Sequence, residues 1–134
     1  MLKILNVLVV LVFVASSAVA QSDSLAVVAT SESVMTKQEA DSLYDKGLYA
    51  EAAKAYEDII SNNGVSADLY YNLGNALSRQ DSLQSAVNQY DKAIELVKNS
   101  GLSKDELNKN LSSIYHNKGN ALFGQQQLSE ALEA

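Results

Sequence analysis

Apolar residues recur at helical spacing along most of the chain, and short polar stretches containing asparagine, serine and glycine separate the periodic segments. Residues 69–77 and 83–97 each carry apolar side chains at intervals of three or four positions. This spacing places those side chains on one face of a helix. Two such helices joined by a few residues pack antiparallel. The pattern therefore predicts an all-α fold built from helical hairpins.

Short signals mark where these helices begin and end. T-K-Q-E at residues 36–39 and S-K-D-E at residues 103–106 have the spacing of a capping box, which satisfies backbone N–H groups in the first turn. Gly64 and Gly101 follow polar stretches at positions where a helix is expected to end in a residue with positive φ. Proline is absent, so asparagine and glycine supply the helix stops.

The hairpin pattern is repeated along the chain. A shift of 34 residues pairs residues of similar size: Ala40 with Gly74, Leu43 with Leu77, Ala52 with Ala86, Tyr56 with Tyr90, and Ile60 with Ile94. A shift of 45 residues pairs the phrase Y-x-N-x-G-N-A-L at residues 70–77 with its second occurrence at residues 115–122, and Leu83 and Ala86 with Leu128 and Ala131. We therefore predict three copies of one helical hairpin, at about residues 36–64, 66–101 and 103–134.

The third copy differs from the others at both of its ends. Eleven additional residues precede its repeated phrase, and residues 103–115 keep the helical period, so we expect its first helix to begin about three turns early and to protrude. The sequence stops at Ala134, before the position that Tyr56 and Tyr90 hold in the earlier copies. Because repeat arrays need a polar cap, we expect a longer natural chain, a frayed last helix, or a partner covering the open face. We favour the first.

Residues 1–20 are predicted to be a signal peptide. One lysine precedes an almost unbroken apolar run over residues 4–15, and Ala18-Val19-Ala20 before Gln21 forms a small-x-small cleavage site. The alternative is an uncleaved membrane anchor, although the run is short for a span. Residues 21–35 are rich in Ser, Ala and Val without a helical period, and we interpret them as a flexible tether. We expect export to the periplasm or cell envelope.

Composition and motifs narrow the classes of function. The net charge of −6 at pH 7 disfavours binding to nucleic acid or anionic lipid, which both rely on clustered Lys and Arg. The chain has no cysteine, and its single histidine, His116, has no carboxylates nearby at the spacing of metal ligands. No glycine-rich phosphate loop or nucleophile motif occurs. We predict no catalytic residue, metal, cofactor or small-molecule substrate.

A 34-residue helix-turn-helix with aromatic, small and aliphatic residues at these positions resembles the tetratricopeptide repeat. The resemblance extends over residues 36–134. The middle copy carries the residues that the family prefers: Leu73, Gly74, Ala86, Tyr90 and Ala93. Glu39 and Lys118 depart from the pattern at the position of Leu73, and the usual proline after the second helix is missing. The resemblance implies hairpins stacked in a right-handed superhelix, with the last repeat incomplete and with the first helices lining a concave groove.

The resemblance also predicts a candidate binding site in that groove. It places four asparagines in a row: Asn72, Asn75, Asn117 and Asn120. An amide side chain both donates and accepts, so it can pair with the backbone of an extended peptide whatever the peptide's side chains. Some tetratricopeptide proteins, including the enzyme that attaches N-acetylglucosamine to proteins, use such a ladder. We predict that Tyr71, Arg79 and His116 adjust the preference for the peptide. The alternative is that the asparagines merely tolerate an exposed helix face or cap a neighbouring turn.

Three hypotheses of function follow. The leading one is an exported protein-interaction module that binds an extended peptide of an envelope partner. The second is a structural module that contacts other repeat proteins, or itself, through its open C-terminal face. The third is an enzyme whose catalytic domain lies beyond this sequence. DLYYNLGNAL and YHNKGNALF are similar to phrases in the envelope tetratricopeptide proteins of bacterial aerotolerance (Bat) operons, which implies a membrane-associated partner with a von Willebrand-type domain.

Overall fold

The computed structural model describes residues 35–133 and, within them, five α-helices and no β-strand. The helices are α1 Lys37–Asp45, α2 Tyr49–Asn63, α3 Ala67–Ser78, α4 Leu83–Lys98 and α5 Lys104–Glu133. Each helix packs against the next along the chain, and α3 also contacts α1 and α5. The predicted all-α fold is confirmed. The predicted signal peptide at residues 1–20 lies outside the described residues, as does the predicted tether apart from Met35.

The predicted capping boxes form at the starts of α1 and α5. At α1, the Thr36 hydroxyl accepts from the Glu39 N–H, and the Glu39 carboxylate accepts from the Thr36 N–H at 2.8 Å. The same reciprocal pair of bonds joins Ser103 and Glu106 at the start of α5. Glu39 thus departs from the repeat pattern because it caps its helix. Lys118, the other departure, is half-buried and pairs with Asp91 of α4.

Both hairpin turns use a positive φ at the same repeat position. Gly47, between α1 and α2, has φ 77°, and Asp81, 34 residues later, has φ 59°. A backbone N–H···O=C bond of 3.0 Å closes each turn. It runs from Leu48 to Leu43 in the first turn and from Ser82 to Leu77 in the second. Glycine adopts this conformation freely, and aspartate tolerates it better than most other residues do. A turn with positive φ at this position is therefore a feature of the repeat.

The core lies between the paired helices, and its largest fully buried side chains are Tyr56 and Tyr90. The apolar stripe predicted on α3 is buried at Leu69, Leu73 and Ala76. Tyr90 packs against α3 at Gly74, where an added Cβ would lie 2.6 Å from the ring. Since no other residue leaves this space, glycine sets the close approach of α4 to α3.

The third copy is not the predicted hairpin. Its helix begins early, as expected, but α5 then continues as one helix to Glu133, through the stretch where a turn was predicted. The position that Gly47 and Asp81 hold in the first two turns is Gln126 in the third copy. Glutamine is a good helix former, and left-handed backbone costs such a residue roughly 1–2 kcal/mol. The local sequence therefore favours a straight helix over a turn.

Candidate functional site

Two adjoining cavities form a groove along one face of the molecule, lined mainly by the first helix of each copy. The first cavity, of about 290 Å³, is lined by Asp41, Tyr44, Asp45, Tyr56, Asn72 and Asn75. The second, of about 260 Å³, is lined by Tyr44, Asn75, Ser78, Arg79, Tyr90, Asn117 and Asn120. Tyr44 and Asn75 line both cavities, which therefore adjoin each other, and we refer to them together as the groove.

The groove contains five of the seven residues predicted for the site, namely the four asparagines and Arg79. Tyr71 instead lines a separate cavity of about 210 Å³ between α3 and α5. His116 is exposed on α5, where its Nε2 lies 3.2 Å from Asn120 Nδ2. Neither Tyr71 nor His116 lines the groove. Tyr71 affects it only indirectly, because its hydroxyl accepts a hydrogen bond from Asn117 at 3.0 Å.

Three of the asparagines bond to other helices, and two of these bonds meet at Asn75. Tyr90 on α4 donates its hydroxyl to Asn75 Oδ1 at 2.9 Å. Asn117 on α5 donates its amide to the same Asn75 oxygen at 2.8 Å. We predicted asparagines that face away from the helix packing, and in this respect the prediction was wrong for three of them. Asn75 and Asn117 are half-buried and connect α3, α4 and α5, and Asn72 is half-buried and bonds to α1.

The same arrangement occurs one repeat earlier. Tyr56 donates to Asp41 Oδ1 at 2.6 Å, and Asn72 donates to the same oxygen at 3.2 Å. Asp41 corresponds to Asn75, and Tyr56 to Tyr90, at the 34-residue shift. In both copies a side chain of the first helix therefore accepts from its own repeat's tyrosine and from the next copy's asparagine. The repeated phrase encodes a link between repeats.

Protonation fixes the direction of these bonds. Burial alone would raise the pKa of Asp41, but hydrogen bonds from Lys37 and Tyr56 and the charge of Lys37 outweigh it and hold the pKa below its usual value. Burial, with the hydrogen bond to Asp41, raises the pKa of Tyr56. Burial likewise raises the pKa of Tyr90. At neutral pH Asp41 is thus an ionised acceptor, and both tyrosines are donors.

The bonds between helices leave one side of the amides of Asn72, Asn75 and Asn117 unused. Among residues 35–133, no side chain or backbone group bonds to Asn72 Oδ1, Asn75 Nδ2 or Asn117 Oδ1. None of these atoms is both buried and unsatisfied, so they are open to solvent. The groove therefore presents one amide donor and two amide acceptors whose orientation the internal bonds already fix.

Charged groups of opposite sign lie at different points of the groove. Asp41 and Asp45 line the first cavity. Arg79 lines the second, where its guanidinium donates to the Tyr49 hydroxyl at 2.7 Å and lies 4.9 Å from the centre of that ring. Tyr49 thereby holds Arg79 in place. The groove thus has an acidic part and a basic part.

Residues 35–133 contain no group of three or more His, Cys, Asp or Glu side chains placed to hold a metal ion. None of the five helices is long and apolar enough to cross a membrane.

A family model described as Tetratricopeptide repeat matches residues 37–100. This range contains α1 to α4 and ends before α5, the helix that departs from the hairpin pattern. A comparison with curated protein sequences gives no match.

Proposed function

We propose that this chain, in which α1 to α4 form two tetratricopeptide repeats of an all-α solenoid, is a protein-interaction module that binds an extended peptide of an envelope partner in its groove. Such repeats generally mediate contacts between proteins, which supports a protein partner. The peptide itself is inferred from one observation, the three unused amide atoms on Asn72, Asn75 and Asn117. The proposal assigns no catalytic residue, metal or cofactor to the chain.

These amide atoms suit a peptide backbone because an extended chain presents N–H and C=O groups in alternation. Asn75 Nδ2 can donate to a peptide carbonyl, while Asn72 Oδ1 and Asn117 Oδ1 can accept from peptide N–H groups. Each amide is held from its other side by a bond within the protein. Little side-chain freedom is lost on binding, so most of each bond's free energy, about 0.5–1.5 kcal/mol, contributes to affinity.

The charges would set the direction and composition of the peptide. Acidic side chains are favoured near Arg79, and basic side chains near Asp45, since the charge of Asp41 is already paired with Lys37. Tyr44 lies where the two cavities join and offers its ring to apolar side chains. We therefore expect a preferred peptide to carry opposite charges on either side of an apolar residue.

We expect Asn75→Asp to weaken peptide binding about tenfold while preserving the fold. The aspartate keeps the oxygen that accepts from Tyr90 and Asn117, as Asp41 does in the first repeat, but it removes the groove donor and adds a charge that repels a peptide carbonyl. Loss of a hydrogen bond that leaves its partner unpaired costs about 1–3 kcal/mol, and 1.4 kcal/mol is tenfold in Kd. The measurement is the Kd, by fluorescence anisotropy, of linear peptides selected on the full chain from a random pool.

The matched control is Asn88→Asp, which makes the same chemical change at an exposed asparagine of α4 outside the groove cavities. It should bind like the unmodified chain. Methylating one backbone nitrogen of a selected peptide should also weaken binding at the positions that face Asn72 or Asn117. Equal affinities for the Asn75 and Asn88 variants, or no linear peptide retained at all, would contradict the proposal.

We also propose export to the periplasm or cell envelope, supported by the signal-peptide pattern of residues 1–20. The similarity of two phrases to envelope proteins of Bat operons supports a membrane-associated partner. When the full chain is expressed in a bacterium, we expect the recovered protein to begin at Gln21, as read by intact mass and N-terminal sequencing. Ala20→Arg should block cleavage, because the site requires a small residue there. Recovery of an intact N-terminus in the cytoplasmic fraction would argue against export.

A further inference from the structure

One face of α5 is uncovered at positions that α4 covers in the preceding copy. Tyr70 and Leu77 of α3 are half-buried, whereas their equivalents Tyr115 and Leu122 are each 45% exposed. Gly119 shows the same difference, since nothing lies within 4 Å of where its Cβ would be, while the equivalent glycine on α3 is in contact with a tyrosine ring. Residues 115–122 therefore lack the second helix of their hairpin.

The chain contains a segment suited to that place. Leu128 and Ala131, within residues 125–133, match Leu83 and Ala86 of α4 at the 45-residue shift, and Ala86 is fully buried against α3. In the structure, however, residues 125–133 continue α5, and Leu128 is 49% exposed. Both halves of the third hairpin are thus present, and the side chains that would meet, Leu122 and Leu128, are each left about half exposed.

The straight helix keeps these two surfaces apart within one chain. Residues 122 and 128 are separated by six helical steps, about 9 Å along the axis, and cannot meet unless α5 breaks at Gln126. The same geometry suits exchange between two chains. Residues 125–133 of each molecule extend away from its own residues 115–122 and can reach the same surface of a second molecule. Domain exchange of this kind costs little, since its contacts repeat those of the closed form.

We propose that a second copy of this chain supplies the missing helix. Residues 125–133 of each molecule pack antiparallel on residues 115–122 of the other, around a twofold axis near Gln126. The position of the axis follows from the repeat. In the α3–α4 hairpin the two helices meet around the turn at residues 79–82, which correspond to residues 124–127 at the 45-residue shift, so two straight helices that repeat this packing cross their axis there. The contact is isologous, continues the helix packing already present between α3 and α4, and buries Leu122 and Leu128 of both molecules. It leaves the groove unaltered.

The hinge variants Gln126→Gly and Gln126→Ala test the proposal. Glycine is the residue at the equivalent position of the first turn, Gly47, and it permits positive φ. It should therefore let the hairpin close within one chain. The dimer dissociation constant should then rise at least tenfold. Alanine favours the straight helix and should leave the dimer intact. The measurement is sedimentation equilibrium of the full chain over a range of concentrations, and the unmodified chain should show a monomer–dimer equilibrium.

A disulfide locates the contact, since this sequence contains no cysteine. In the double variant Leu122→Cys and Leu128→Cys, oxidation should link two chains, because a disulfide needs Cα atoms within about 7 Å and the straight helix separates them further within one chain. Adding Gln126→Gly should redirect the link into a single chain. A monomer at all concentrations, an intrachain link without the glycine, or a dimer that does not form the interchain link would each overturn the proposal.

Discussion

Tyr90→Ala should lower the free energy of unfolding by about 3–5 kcal/mol, which is the typical cost of removing a buried aromatic ring. Tyr90 is 1% exposed and fills the space that Gly74 leaves on α3. Its removal leaves a cavity between α3 and α4 and deletes the donor to Asn75. Domains of this size are stable by only about 5–15 kcal/mol, so the variant should be close to unfolding. The measurement is urea denaturation followed by circular dichroism.

Tyr90→Phe separates the ring from the hydroxyl. It keeps the packing against Gly74 and removes only the hydrogen bond to Asn75, which still accepts from Asn117. The expected loss is about 0.5–1.5 kcal/mol. If Phe and Ala cost the same, the hydroxyl rather than the ring would hold α4 on α3, and the packing argument would be wrong.

Alanine at the two glycines of the repeated phrase should have effects of opposite sign. At Gly74 the added Cβ would lie 2.6 Å from Cε1 and 3.1 Å from Cζ of Tyr90, a ring that cannot move without disturbing the core. Overpacking of this kind costs about 1–3 kcal/mol, which outweighs the gain of about 1 kcal/mol in helix propensity. At Gly119 nothing of the same chain lies within 4 Å, so in a solution dilute enough to keep the chain monomeric only the gain remains. Thermal unfolding of both variants measures the difference.

The expected order of melting temperatures is Gly119→Ala highest, the unmodified chain next, and Gly74→Ala lowest. Each variant serves as the control for the other, since both change glycine to alanine in the same motif. Stabilisation by both would show that the Tyr90 ring adjusts at little cost. Destabilisation by both would show that Gly119 is covered by some contact that the single chain does not contain, and a repeat of the measurement at several concentrations would identify an intermolecular one.

Much of the fold was predictable because its signals are local or repeated. The capping bonds of Thr36 with Glu39 involve residues three apart, so their spacing alone was sufficient. The apolar stripe of α3 and the glycine stops after α2 and α4 were equally local. The departure of the third copy also has a local cause. Gln126 stands at the position of Gly47 and Asp81, and glutamine does not favour the positive φ that those two residues adopt.

The candidate site was only partly predictable. Helical spacing placed the four asparagines on the face opposite the apolar stripe of their helices, and the structure finds all four along the groove. The tyrosine hydroxyls that reach this groove were missed, because Tyr56 and Tyr90 were interpreted only as core residues. The 34-residue match of Asp41 with Asn75, beside the match of Tyr56 with Tyr90, was the available signal.

By itself, the sequence determined the helices, their caps, the first two turns and the repeat, because each depends on residues close in the chain or on comparison of one copy with another. Only the tertiary structure decided which asparagine atoms remain free for a ligand. That outcome depends on how closely α4 and α5 approach α3, which no local pattern specifies. The tertiary structure also decided that one face of α5 is open. The apolar residues of this face are visible in the sequence, but they are exposed because α5 continues as a helix at the position where the earlier copies turn.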